Sequence, residues 1–163
     1  MPMPMILFTI SALIAFGLDR LSEVVIINLL NLASVHAISV WPPYFQLIVA
    51  RNKGIDFGLL SDDFGRWALV AFATTISLGM AIWVRNKRGW ILPLAIGAVV
   101  GGALGNAFDR VFYGAVVDYL NISCCGIKNP YSFNVADIFI TCGTVLAAVA
   151  YKHQGKYGLP DPG

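Results

Sequence analysis

The run WALVAFATTISLGMAIWVRNKRGWILPLAIGAVVGGALGNAF, residues 67–108, decides the fold. Two apolar stretches, Trp67–Val84 and Ile91–Phe108, flank a six-residue connector, Arg85-Asn-Lys-Arg-Gly-Trp90, that carries three positive charges and no acid. Each stretch approaches the roughly 20 apolar residues that a helix needs to cross a bilayer, within a tolerated range of about 17 to 25. A tight basic connector between two such stretches reads as a helical hairpin turning on the cytoplasmic side.

Two more stretches of this kind flank the hairpin. One covers about residues 4–29, interrupted by Asp19, Arg20 and Glu23, and the other about residues 133–151. The 163-residue chain is 58% apolar and only 12% charged, where soluble domains average about 25% charged. A net charge of +2, scattered along the chain, excludes a nucleic-acid surface, which needs clustered Lys and Arg on one face. The prediction is an all-α membrane protein: four transmembrane helices in a single domain, residues 1–163, with a small outer-face β-sheet and an extracytoplasmic loop. Outer loops are expected at about 30–66 and 109–132, with both termini cytoplasmic, in agreement with Lys152, His153 and Lys156 in the tail. Eight of the nine acids, all but Asp161, then fall toward the outer side. Small residues around Ala33–Ala37 loosely resemble a signal-peptide cleavage site, but no basic segment precedes the first stretch and charges interrupt it, so a retained first span is expected.

In the first outer loop Trp41-Pro-Pro-Tyr44 marks a turn. Tyr44–Ala50 and Ile55–Leu60 read as short strands of a sheet on the outer membrane face. Trp41, Tyr44, Phe45, Phe57, Trp67 and Trp90 suit an interfacial aromatic belt. Gly97, Gly101 and Gly105 recur every fourth residue, a flat stripe on which another helix can pack closely. Cys124 and Cys125 are adjacent and Cys142 lies in the last span; these spacings suggest packed or free thiols rather than a zinc site.

Charged side chains in or beside hydrocarbon cost several kcal/mol and mark functional sites by default. Asn106, Asp109 and Arg110 share one helical face at the outer end of the third span. Asp109 with Arg110 is expected as a paired charge, Arg110 also balancing negative charge nearby. Asn134 and Asp137 sit one turn apart in the last span, where the amide of Asn134 is positioned to donate to the acid and fix its orientation. Asp118 follows Gly114-Ala-Val-Val, a stretch that reads as extended, and non-helical backbone at that depth is tolerated where it lines a cavity. Asp118 and Asp137 have no basic residue within four positions. Two such carboxyls brought together cannot both ionise cheaply, so one keeps a proton. That split suits one acid to act as base on water while the other protonates a carbonyl oxygen.

Over nearly its whole length the chain resembles the bacterial lipoprotein signal peptidases, or signal peptidase II. The resemblance runs through Asp19, Asn52-Lys-Gly-Ile-Asp-Phe-Gly58, Gly105-Asn-Ala-Phe-Asp-Arg110, Gly114-Ala-Val-Val-Asp118 and Phe133-Asn-Val-Ala-Asp137. It implies an aspartic endopeptidase of the bacterial inner membrane that removes signal peptides from diacylglyceryl-modified prolipoproteins, cutting before the lipidated cysteine near the outer, periplasmic face. Asp118 and Asp137 would be the catalytic pair. Asp19, Asn52, Gly54, Asn106, Asp109, Arg110 and Asn134 would bind substrate or support the pair. No metal or organic cofactor is implied; the implied partners are lipid-modified prolipoproteins and membrane lipids, and the protein is expected to act as a monomer. The substrate's signal helix would enter between spans, small residues on its leaving side facing the glycine-rich wall. Two departures stand out. Asp19-Arg-Leu-Ser-Glu23 replaces the usual Asp-Gln-x-Thr-Lys, and Asp56 replaces an Ala or Ser. From the residues alone, a small proton-coupled transporter and a non-catalytic assembly subunit remain as alternatives.

Overall fold

Glycine sets the packing of the bundle. In the computed structural model, which describes residues 2–54, 63–87, 89–125, 127 and 129–156, helix α4 (Ile91–Tyr113) lies at the centre, with α1 (Met3–Glu23), α3 (Asp63–Val84) and α5 (Val135–Lys156) against it. A Cβ on Gly97 or Gly101 would collide with the backbone carbonyls of Phe8 and Ala12, and one on Gly105 would sit 2.6 Å from Asp19 Oδ2. The predicted stripe is therefore the seat of α1. All three glycines are buried, so the stripe is not the open wall expected to face substrate. Gly102 gives α5 the same close approach, a Cβ there lying 2.5 Å from the carbonyl of Ala136.

Among the described residues three helices are long and apolar enough to cross a membrane: Asp63–Val84, Ile91–Tyr113 and Val135–Lys152. Their burial is uneven. Within the most apolar window of each, 61% of α4 is inside the fold but only 11% of α3 and 17% of α5. Large apolar side chains such as Phe72, Ile76, Ile82, Val145 and Val149 point outward while Asp19, Glu23, Asp109 and Asp118 are buried. That inside-out distribution suits a lipid solvent, in which outward apolar side chains are not a liability and charges must find partners inside. One apolar cluster, with Phe8, Val84, Leu92, Val100 and Ala147, closes one part of the bundle. A second, with Leu32, Leu47, Val117 and Tyr119, joins it to the sheet.

The sheet differs from expectation in its partners. After α1, wider helical turns (Val24–Leu29) and the single turn α2 (Leu32–Val35) lead into β1 (Ala37–Trp41), β2 (Phe45–Asn52) and, far along the chain, β3 (Val116–Ile122). All pairs are antiparallel in the order β1-β2-β3. The Pro42-Pro43 turn is the loop of the β1–β2 hairpin, closed by Tyr44 N–H donating to the Trp41 carbonyl at 2.8 Å. Ile55–Leu60, the expected second strand, lies outside the described residues; β3 supplies the partner. Cys124 and Cys125 form a disulfide rather than free thiols, and Cys142 is free and exposed. Helix α4 also continues past the expected boundary at residue 108 to Tyr113, which keeps Asp109 and Arg110 helical.

Candidate functional site

Gly114 starts the site. It caps α4 with φ of +76°, in the left-handed region that costs other residues about 1 kcal/mol or more. The chain swings there from helix to strand within two residues. β3 then runs beside β2, with Ala50 opposite Asp118, and Asp118 is carried inward to 4% exposure. The Asn52 side chain at the end of β2 lies within hydrogen-bonding reach of its carboxyl, while its Oδ1 has no partner among the described residues. Asn52 Oδ1 takes the Gly54 backbone N–H at 3.3 Å, a local turn that leaves the amide free to donate. Burial, and then repulsion from Asp137, push the Asp118 carboxyl up from 3.8 to about 7, against the Asn52 bond and the Arg110 charge.

Asp137 enters from α5. The helix begins with a reciprocal cap: Asp137 N–H donates to Asn134 Oδ1 at 2.9 Å and Asn134 N–H donates to Asp137 Oδ2 at 3.2 Å. Two of the donors that a helix start leaves unpaired are thereby satisfied. The side-chain amide of Asn134, expected to reach Asp137, points elsewhere: Nδ2 donates to Asn106 Oδ1 at 2.8 Å. Asn106 Nδ2 in turn donates to Asp137 Oδ1 at 2.9 Å. A planar amide both accepts and donates, so Asn106 relays orientation from Asn134 to the acid. Both oxygens of Asp137 are held as acceptors, and the group is half-buried.

The expected Asp109–Arg110 pair is not formed. Asp109 is fully buried and ion-paired to Arg20, and its Oδ2 accepts the Val117 N–H at 3.1 Å. Arg110 instead donates to the Asn106 carbonyl at 3.2 Å, and its charge acts on Asp118, Asp109 and Asp137 together. Residues four apart on a helix do share a face, but the acid at 109 finds its cation across the α1 interface. Asp19, 1% exposed, pairs with Arg20 and accepts the Ala136 N–H at 2.8 Å through Oδ1.

Around Asp118 and Asp137 the fold therefore gathers Asn52, Asn106, Arg110 and Asn134, with Gly54 behind Asn52. Asp19 and Asp109 lie one layer further in, on backbone amides. Sequence reasoning missed Tyr119, whose buried hydroxyl meets Ser22 Oγ at 2.5 Å and ties β3 to α1; burial pushes that phenol up to about 12. The signal was its place on a strand buried on both faces. A cavity of about 400 Å³ adjoins the start of β3, with Arg51, Lys53 and Arg66 on its wall. A buried carboxyl raised to about 7 beside a second, firmly held carboxyl is equipped for paired acid and base work.

The model of the signal peptidase (SPase) II family matches residues 11–152. The lipoprotein signal peptidase of Caulobacter vibrioides is 37% identical over 137 residues, 83% of this chain and 80% of the relative. That of Beijerinckia indica subsp. indica is 32% identical over 161 residues, 98% and 95% of the two chains. A solved bacterial membrane enzyme, determined by the in meso method, is similar in fold with a TM-score of 0.75 at 23% identity, over 93% of this chain and 90% of that one.

Proposed function

The chain belongs to the signal peptidase II family of proteases, and on that premise we propose that it is an intramembrane aspartic endopeptidase that removes the signal peptide from diacylglyceryl-modified prolipoproteins. Cleavage falls just before the lipidated cysteine, and Asp118 and Asp137 are the catalytic pair. The observation that carries this reading is the buried Asp118 carboxyl, its Oδ1 without a partner among the described residues, together with an Asp137 whose two oxygens are held by Asn106 and the Asn134 backbone; burial and the Asp137 charge push Asp118 up to about 7. Family membership favours a peptidase over the transporter and assembly-subunit alternatives.

Asp118 holds the pair's proton, and Asp137, its oxygens oriented by Asn106 and the Asn134 backbone, serves as base. A water between them loses a proton to Asp137 as its oxygen attacks the scissile carbonyl carbon, and Asp118 protonates the carbonyl oxygen. The tetrahedral diol then collapses: Asp137 returns its proton to the amide nitrogen, the C–N bond breaks, and Asp118 recovers its proton as the carbonyl re-forms. The positive charge of Arg110, which acts on Asp118, Asp109 and Asp137 together, offsets the negative charge of the ionised Asp137. We place α1 as a fourth span, both termini in the cytoplasm and the sheet at the outer face of the inner membrane, where acyl chains stay in lipid while the peptide bond reaches the acids.

The test uses a diacylglyceryl-modified precursor and its unmodified counterpart, offered to purified protein in lipid. The wild type should cleave only the modified form. Asp118→Asn and Asp137→Asn should abolish cleavage while insertion into membranes is unchanged, and retained cleavage in either variant overturns the dyad.

A further inference from the structure

Neither acid of the proposed pair is anchored only by groups that touch it. The peptide N–H of Val117, one residue before Asp118, donates to Asp109 Oδ2 at 3.1 Å, and that of Ala136, one residue before Asp137, donates to Asp19 Oδ1 at 2.8 Å. The other oxygens of these two carboxylates meet on one guanidinium: Arg20 Nη1 contacts Asp109 Oδ1 and Arg20 Nη2 contacts Asp19 Oδ2. Strand β3 and helix α5 are thus tied, each by a backbone bond, to a single cation on α1. Arg20 is itself confined, lying 5.1 Å over the Phe108 ring, and Gly105 leaves the room that Asp19 occupies. We propose that Arg20 is a positioning residue which sets the spacing of Asp118 and Asp137 by clamping the peptide units next to them.

The clamp also accounts for the departure at Asp19-Arg-Leu-Ser-Glu23. Glu23 stands where the related pattern has Lys, and Arg20 where it has Gln. In this chain Glu23 pairs with Arg20 and lies within hydrogen-bonding reach of Asp109. A cation at position 23 would fall on the same carboxylate, so the charge has moved from one turn of α1 to the preceding one and kept its target. From position 20 the guanidinium spans the two carboxylates through separate nitrogens held in a fixed plane, which the single ammonium nitrogen of a lysine at that position does not reproduce.

The inference rests on the dyad reading, and two readouts keep them separable. The first is amide hydrogen exchange at Val117 and Ala136 in the full-length protein in lipid, which needs no cleavage. The second is kcat against KM on the lipidated precursor. Arg20→Gln should speed exchange at both amides together and lower kcat by roughly 10- to 100-fold with KM changed far less, as expected when reacting groups are displaced by a fraction of an ångström to an ångström. The relocated-charge variant Arg20→Gln/Glu23→Lys should restore slow exchange and recover most of the lost kcat. If Arg20→Gln does not fold, Arg20→Lys and the relocated-charge variant carry the test: the first should show faster exchange at both amides, the second wild-type exchange. Unchanged exchange in Arg20→Lys and Arg20→Gln, or a relocated-charge variant no better than Arg20→Gln, overturns the clamp. Normal clamp behaviour in a wild type that cleaves nothing overturns the reaction instead.

Discussion

Removing the Asn52 amide should move the alkaline limb of the pH–rate profile upward. The sign follows from what the amide touches. The Asn52 amide lies within hydrogen-bonding reach of the Asp118 carboxyl and favours its charged form, opposing burial and the Asp137 charge that together raise it to about 7. Asn52→Ala deletes that opposition, so Asp118 keeps its proton to higher pH. A hydrogen bond to a charged group contributes about 1.5–3 kcal/mol, and 1.36 kcal/mol corresponds to one pK unit, which bounds the shift at about one to two units. Asn52 is exposed, so water takes over part of the bond and the expected displacement is about half a unit to one unit. The assay is initial-rate cleavage of a lipidated precursor between about pH 5 and 9, because kcat/KM reports ionisations of the free enzyme. A lower plateau is also expected if the amide contacts substrate, but height and position of the limb are independent readouts. A limb that stays in place, or moves to lower pH, refutes the assignment of the active proton to Asp118.

The same carboxyl predicts a pH-dependent stability difference. Its folded value, about 7, lies above 3.8, so its favourable contribution is complete below about pH 4 and lost as pH rises to about 7, and Asp118→Asn should exceed the wild type in stability at pH 8 by up to about 4 kcal/mol. Thermal unfolding in detergent at pH 4.5 and 8 measures this, and a less stable variant at pH 8 contradicts it. The glycine stripe gives a paired test of packing: Gly101→Ala meets the Ala12 carbonyl and, at 2.8 Å, Ala15 Cβ, which should cost about 1–3 kcal/mol. Gly79→Ala meets nothing within 4 Å and should be neutral or stabilising by up to about 1 kcal/mol in the same unfolding experiment.

What the sequence made legible was local. The glycines at 97, 101 and 105 announce a close helix contact because their spacing is a helical period, and Gly114-Ala-Val-Val announces a strand because left-handed glycine and β-branched residues both leave the helix. Residues that act across elements were not legible. The i, i+3 and i+4 spacing of Asn106, Asp109 and Arg110 puts them on one side of α4, yet the three side chains find three different partners: Asp137 on α5, Arg20 on α1 and, for Arg110, the Asn106 carbonyl of α4 itself. Nothing in the spacing says that Arg20, 89 residues from Asp109, faces it. The sheet was half-read for the same reason. β2 follows from its alternation, but its partner β3 is set by a pairing that closes a long loop, and local pattern carries no register for such a pairing.

The placement of the two acids follows from where a membrane protein has hydrogen-bond donors to spare. Inside a transmembrane helix every backbone N–H is already committed to a carbonyl four residues earlier, so an acid in mid-span has only side chains to satisfy it. Donors are available in two places: the first turn of a helix and the end of a sheet. Asp137 occupies the first turn of α5 and takes an N–H that the helix leaves unpaired, and Asp109 and Asp19 take the N–H groups of Val117 and Ala136 at the strand start and the helix start. Asp118 is the exception. It lies on the strand beside these donors, yet among the described residues it has an exposed asparagine amide within reach and its Oδ1 has no partner. Of the buried acids it is the one whose environment gives its negative charge least support, which is the condition for holding a proton that a peptide carbonyl can take.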